Sequence, residues 1–250
     1  MGTRRIKFDL LIHDLKTPLA VIEAGLTSLI ERCEKYGPLT EKQKKVLRRA
    51  LRNTKVTQTL VNDAMEIGRS SEGIIHTHRF SLANLIEQSL VELFDLTDYR
   101  AAESVKECVT LTVLKETLSE RNIMLNVDEN LWCQDVYLDE GKIRQILRNL
   151  LNNALKYRKK LIEIKIESNG KSLFLSVRDD GDGIPAEYHQ RIFECYFQMD
   201  TEQNHCVRGH GLGLAGVMVL VEDMGGRLSL ESDMGKGAKF LVEVPLSRPT

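Results

Sequence analysis

Arg144-Gln145-Ile146-Leu147-Arg148-Asn149-Leu150-Leu151-Asn152-Asn153-Ala154-Leu155-Lys156-Tyr157 reads as one amphipathic helix with an unusual polar stripe. Ile143, Ile146, Leu147, Leu150, Leu151 and Ala154 recur at helical spacing and predict the buried face. Gln145, Asn149, Asn153 and Lys156 recur at i, i+4, i+8 and i+11 on the other side. Asparagine is a mediocre helix former, so two on one stripe cost stability without packing in return. An amide oxygen, however, is a neutral hard ligand of the kind Mg²⁺ takes when phosphates supply the charge. Lys156 adds a cation near the same place. A plain solvent-facing stripe is the competing reading of this segment taken alone.

Around this helix, predicted over Glu140–Tyr157, the pattern is mixed. Ser81 caps a helix running to Leu93, and a further helix is expected over 212–224. Strands are expected over Ile123–Val127, Ile162–Ser168, 173–179, Arg227–Ser232 and 238–244. Turns at Asn169-Gly170 and at 235–237 join strands, which gives an α/β sandwich with helices on one face of a mixed sheet. The stretch 95–121 alternates charged and apolar residues and has a helical look, but no role can be assigned to it.

Toward the N-terminus the period becomes purely helical. Phe8, Leu11, Leu15, Leu19, Ile22, Leu26 and Leu29 step by three or four residues, the seam of a packed helix. Gly37-Pro38 breaks the pattern, and Thr40 followed by Gln43 makes a capping box that opens a second helix. That helix carries Val46, Leu47, Ala50, Leu51, Leu60, Val61, Ala64 and Met65. Two long helices with a short link form an antiparallel hairpin, which cannot bury both seams by itself. Pairing of two copies into a four-helix bundle, a homodimer, is the expected solution.

Composition narrows the function classes. The chain has 250 residues, 42% hydrophobic and 28% charged, with a formal net charge of −1, so no global pull toward nucleic acid or anionic lipid is expected. Five cysteines without a CxxC pair argue against a disulfide framework or zinc knuckle. No run approaches the ~18 apolar residues a span needs. A cytoplasmic segment is expected, compatible with being the cytoplasmic part of a longer, membrane-bound protein.

Three further stretches carry chemistry. In His13-Asp14-Leu15-Lys16-Thr17-Pro18-Leu19, His13 falls roughly 160° from the seam at about 100° per residue, with Thr17 on the same face and Asp14 on the flank. An exposed imidazole is largely neutral near its ordinary pKa of about 6.5, and a neighbouring carboxylate can fix its tautomer during nucleophilic attack. Pro18 removes a backbone bond at a cost of about 3 kcal/mol and predicts a bend. Asp179-Asp180-Gly181-Asp182-Gly183-Ile184-Pro185 closes a strand with paired glycines and a carboxylate suited to an adenine amino group. Gly209-His210-Gly211-Leu212-Gly213-Leu214 opens a helix, where backbone amides favour phosphate. Each has a bland counterpart: a solvated histidine, a hairpin turn, a lone glycine-rich loop.

In this order and spacing the stretches resemble the motifs of sensor histidine kinases over nearly the whole chain. His13 to Leu19 is similar to the H box, Asn149 to Tyr157 to the N box, and Asp179 to Pro185 to the first glycine box. Arg191 to Phe197 is similar to the F box, and Gly209 to Leu214 to the second glycine box. The resemblance implies an α+β chain of two domains: residues 1–72 a dimerising phosphotransfer hairpin, and residues 73–250 an ATP-binding sandwich of the histidine-kinase and Hsp90-like type. It implies His13 as phosphoacceptor, Asp14 as its base partner, and Thr17 as a water-positioning residue in dephosphorylation. Asn149 and Asn153 would hold Mg²⁺ and ATP, with Lys156 and Tyr157 beside the nucleotide and Asp179 reading adenine. Gly181, Gly183, Gly209, Gly211, Leu212, Gly213 and Leu214 would shape the pocket and its lid. The implied partners are a second copy and the receiver domain of a response regulator, whose aspartate takes the phosphoryl group. Two departures from the family pattern stand out, the long stretch 95–121 and a short lid after Gln198. ATPases of the same nucleotide-binding superfamily typically place a glutamate where Asn149 stands, and an amide cannot act as that base. A degenerate docking module would not need the intact Asn153 and Asp179.

Overall fold

A computed structural model describes residues 3–70, 75–95, 98–195, 197 and 212–247, with the backbone alone for 3–13, 33, 59, 62–70 and 99. The chain divides into two compact units, Met1–Arg69 and Ser70–Thr250.

The first unit is the helical hairpin: α1 (Thr3–Glu31), the single turn α2 (Cys33–Tyr36) and α3 (Glu41–Ser70). The capping box forms, with Thr40 N donating to Gln43 Oε1 at 2.9 Å and Gln43 N donating to Thr40 Oγ1 at 3.3 Å. The helices are tied by polar contacts, since Gln58 Nε2 donates to Glu23 Oε2 at 2.8 Å and Lys55 Nζ lies 3.8 Å from Glu23. The expected seam is open in a single copy: Leu15 is 44% exposed and Ile22 49%. Among the described side chains of this unit only Thr54 is buried.

The second unit begins with β1 (His78–Ser81) and α4 (Leu82–Asp95), where Ser81 Oγ accepts from Asn84 N at 3.3 Å. The unassigned stretch forms two short helices, α5 (Tyr99–Lys106) and α6 (Leu111–Ser119). Asp98 caps α5 through Arg100 N and Ala101 N, and Thr110 caps α6 through Val113 N. Their alternating composition is that of amphipathic turns. Ala101, Ala102, Val105, Leu111, Leu114 and Leu118 are buried in the main core, so the insertion widens the helical layer. There follow β2 (Ile123–Val127), α7 (Glu129–Trp132), β3 (Asp135–Leu138), α8 (Glu140–Tyr157), β4 (Ile162–Ser168), β5 (Ser172–Asp179), α9 (Gly213–Asp223), β6 (Arg227–Ser232) and β7 (Ala238–Pro245).

Five strands form one sheet in the order β2-β4-β5-β7-β6, with β2 parallel to β4 and the other pairs antiparallel. β1 and β3 make a separate antiparallel pair that the sequence pattern does not announce, each strand only four residues long with one charged residue, Arg79 and Asp135 respectively. α8 packs on β5, α4 and α9, while α9 also meets β6 and β7 and α6 meets β2. Along β4 and β5 the residues turned to the helices, such as Ile162, Ile164, Leu175 and Val177, are 0–1% exposed. Among the described residues no helix is long and apolar enough to cross a membrane.

Candidate functional site

α8 starts because Asp139 caps it, its carboxylate accepting from Lys142 N at 3.1 Å, with Glu140 in the first turn and Lys156 in the last. Its predicted apolar face is buried throughout, Ile143 to Ala154 at 0–3% exposure. Asn149, expected on the opposite polar side, is nonetheless buried at 7%, because the start of α9 covers it. Its Nδ2 donates to the carbonyl of Gly213, the first residue of α9, at 3.3 Å. Asn153, one turn on, is half-buried. Lys156 Nζ donates to the Tyr157 hydroxyl at 2.8 Å and lies 4.6 Å from the ring centroid, so this cation leans on its neighbour.

The end of α8 meets the end of β5. Gly181 sits so close under α8 that a Cβ there would lie 2.3 Å from the carbonyl oxygen of Tyr157. Asp179 closes β5 at 6% exposure, and its Oδ1 accepts from Gly181 N at 2.9 Å. Burial pushes the Asp179 carboxyl above the usual carboxylate range, and the backbone donors at Gly181 and Ala238 only partly offset this. Asp180 behaves oppositely. Burial would raise it, but the backbone N–H groups of Lys160, Leu161 and Lys159 outweigh that and hold its carboxyl below the usual range. Asp180 thus clasps the 159–160 turn, with both N–H groups at 2.9 Å from Oδ1, and Lys159 Nζ pairs with Asp182 at 2.6 Å.

The β6–β7 turn completes the frame. Ser232 Oγ accepts from Ile184 N at 2.8 Å and donates to the Gly237 carbonyl at 2.7 Å. Gly183 (φ +76°) and Gly237 (φ +78°) are left-handed, and a Cβ would lie 2.0 Å from Asp233 O and 1.9 Å from Asp179 O respectively. Gly235 is also left-handed at φ +80° but has nothing within 4 Å. Gly237→Ala is therefore expected to destabilise the chain by about 2–5 kcal/mol, from left-handed strain plus overpacking, whereas Gly235→Ala costs only about 1–2 kcal/mol. Paired thermal denaturation measures the gap, and equal losses would mean that the backbone at Asp179 yields to a methyl group.

At the head of α9, Leu212 is buried and Leu214 half-buried, and among the described residues no side chain caps the helix start. Gly209 and Gly211 lie outside the described residues, as does the side chain of His13. Asp14 and Thr17 are exposed on α1. The structure thus brings Asn149, Gly213, Tyr157, Asp179, Gly181 and Gly183 into one frame. Asp180, Ser232 and Gly237 lie in stretches that the sequence marks as a glycine-paired strand end and a closing turn, but no individual role could be assigned to them there. The only local signal for Asp180 was its place between a strand end and paired glycines.

Residues 138–248 match the family described as "Histidine kinase-, DNA gyrase B-, and HSP90-like ATPase", and residues 10–73 match "His Kinase A (phospho-acceptor) domain". The chain thus carries a histidine kinase phospho-acceptor domain followed by a histidine kinase-like ATPase domain. Among curated relatives, this chain is similar to the circadian input-output histidine kinase CikA of Synechococcus elongatus, 30% identical over 93% of this chain and 29% of the relative. It is also similar to the sensor histidine kinase YkoH of Bacillus subtilis, 31% identical over 92% of this chain and 45% of the relative. The chain therefore spans less than half the length of either. Of the solved structures, full-length ShkA in complex with AMPPNP shares the fold with a TM-score of 0.66 at 24% identity, over 98% of this chain and 46% of that one. The Acinetobacter baumannii histidine kinase AdeS shares it with a TM-score of 0.57 at 19% identity, over 94% and 98%.

Proposed function

We propose that this histidine kinase transfers the γ-phosphoryl group of ATP to His13 and passes it on to an aspartate of a response-regulator receiver domain. The observation that carries the reading is the frame around Asp179. A buried carboxylate closes a strand between two glycines, and the buried amide of Asn149 stands beside the start of α9. In this reading the adenine amino group donates to Asp179, Tyr157 flanks the nucleotide, and the first amides of α9 face the phosphates. Gly181, Gly183, Gly209, Gly211, Leu212, Gly213 and Leu214 shape the pocket and lid. Asn149 Nδ2 is spent on Gly213 O, which leaves Oδ1 as a neutral hard ligand of the right chemistry for Mg²⁺, with Asn153 one turn away. Bound Mg²⁺ supplies neutralisation of phosphate charge. Lys156 adds a cation once it leaves the Tyr157 hydroxyl.

On the hairpin, Asp14 orients the His13 imidazole and stabilises the positive charge that develops on the ring as the phosphoryl group arrives and ADP leaves, while Thr17 positions water when the regulator is dephosphorylated. In-line transfer is mostly positioning, so the γ-phosphate must be brought to the imidazole nitrogen. A homodimer is supported by the open seam: Leu15, Ile22 and Val46 are all exposed in one copy. The domain division proposed is 1–72 for the hairpin and 73–250 for the ATP-binding part.

Incubation with Mg²⁺ and ATP carrying either γ- or α-label tests this. Label from the γ position alone, stable in base and lost in acid, is the expected phosphoramidate. Nucleotide binding without any transferred label would overturn the kinase reading.

A further inference from the structure

Lys142 and Asp223 form a buried ion pair that no step above uses. Lys142 Nζ donates to Asp223 Oδ2 at 2.7 Å, and the two side chains are 9% and 12% exposed. One partner lies in the first turn of α8 and the other is the last residue of α9. At the opposite end of α9, Gly213 O takes the Asn149 amide. The two helices therefore run antiparallel, pinned at both ends of α9 by directional polar bonds.

Between those bonds the contact is apolar, with Ala215, Val217, Leu220 and Val221 of α9 buried. Apolar burial is non-directional and tolerates sliding. A slip of one residue moves a helix by about 1.5 Å along its axis, enough to break either polar bond. A buried ion pair is also an expensive way to hold two helices, since well-packed apolar residues hold them as well or better.

We propose that Lys142 and Asp223 are positioning residues: their ion pair sets the axial register of α9 against α8 and so places the first amides of α9 level with Asn149. The inference rests on the nucleotide reading above, because those amides face the phosphates. It assigns a role in phosphate binding to a pair at the far end of the helix from the ligand. Adenine, held by Asp179 on β5, should be indifferent to it.

The test uses the full chain, with calorimetric titration by Mg²⁺–AMPPNP and separately by adenosine, and thermal denaturation alongside. The double variant Lys142→Met/Asp223→Leu replaces the ion pair with apolar packing, Lys142→Arg keeps it, and Leu114→Ala destabilises the remote α6 as a control. The double variant is expected to bind Mg²⁺–AMPPNP about ten- to a hundredfold more weakly, the scale of an ångström-sized misplacement, with adenosine affinity held within about twofold. Lys142→Arg and Leu114→Ala should bind both ligands like the wild type. Unchanged AMPPNP affinity in the double variant would overturn the proposal. So would a parallel loss of adenosine, or an equal AMPPNP loss in Leu114→Ala, since either makes the pair merely structural. A wild type that binds neither ligand would instead defeat the nucleotide reading itself.

Discussion

His13→Gln is expected to abolish transferred label while leaving nucleotide binding intact. Glutamine keeps a polar side chain of similar reach, but its amide nitrogen has no lone pair free to attack phosphorus, so the loss should be complete rather than graded. His13 lies in α1, one helical turn before Thr17 and five residues before Pro18. Pro18 cannot donate the bond that an interior helical residue would send to the carbonyl of residue 14, which favours a local bend beside the nucleophile. The ATP-binding part is a separate compact unit with its own core, so adenosine and AMPPNP titrations of the variant should match the wild type. Label persisting on His13→Gln would move the phosphoacceptor elsewhere.

Asp179→Asn should weaken ATP binding by about a hundredfold or more, the worth of a buried charge-assisted hydrogen bond exchanged for a mismatch. Gly181 N already donates to Asp179 Oδ1. An asparagine would have to turn its oxygen to that donor, leaving its NH₂ facing the amino group of adenine, donor against donor. The same residue predicts a pH dependence. Because burial raises the folded pKa of Asp179, its ionised form costs stability at neutral pH, and that cost is relieved as pH falls through the raised value. Adenine binding needs the ionised form, so affinity falls as pH drops through the same range. Adenosine titrations are the cleanest measurement, since no phosphate titrates with the protein. The wild type should lose affinity on acidification already at pH above the usual Asp range near ~3.9, and Asp179→Asn should show no such slope. A flat wild-type profile would mean that the carboxylate does not meet the base.

Much of the fold was legible because its signals are local. Helical spacing marked both α1 and α8, and the capping box at Thr40 and Gln43 forms as read. Five strands announced themselves by β-branched and alternating runs between turn residues. Two strands did not, because four residues with a single charge each carry too little pattern, and β1 and β3 gain meaning only from pairing with each other. The stretch 95–121 looked helical but had no role until α5 and α6 were seen burying leucines and alanines in the common core.

For the site, residue types and their order along the chain were enough to nominate Asn149, Asn153, Tyr157, Asp179 and the glycines, and the alternation of apolar and polar positions was enough to orient α8. Distances between those residues were not available from spacing. Asn149 meets Gly213 across 64 positions and Lys142 meets Asp223 across 81. The carbonyl of Asp179 lies where a Cβ of Gly237 would stand. Such contacts depend on the path of the chain through the sheet, so only the tertiary structure turns a polar stripe into a buried amide, or a surface-type lysine and aspartate into a buried pair. Periodicity is set by neighbours three or four residues away; burial and charge pairing are set by whichever segment the fold lays on top.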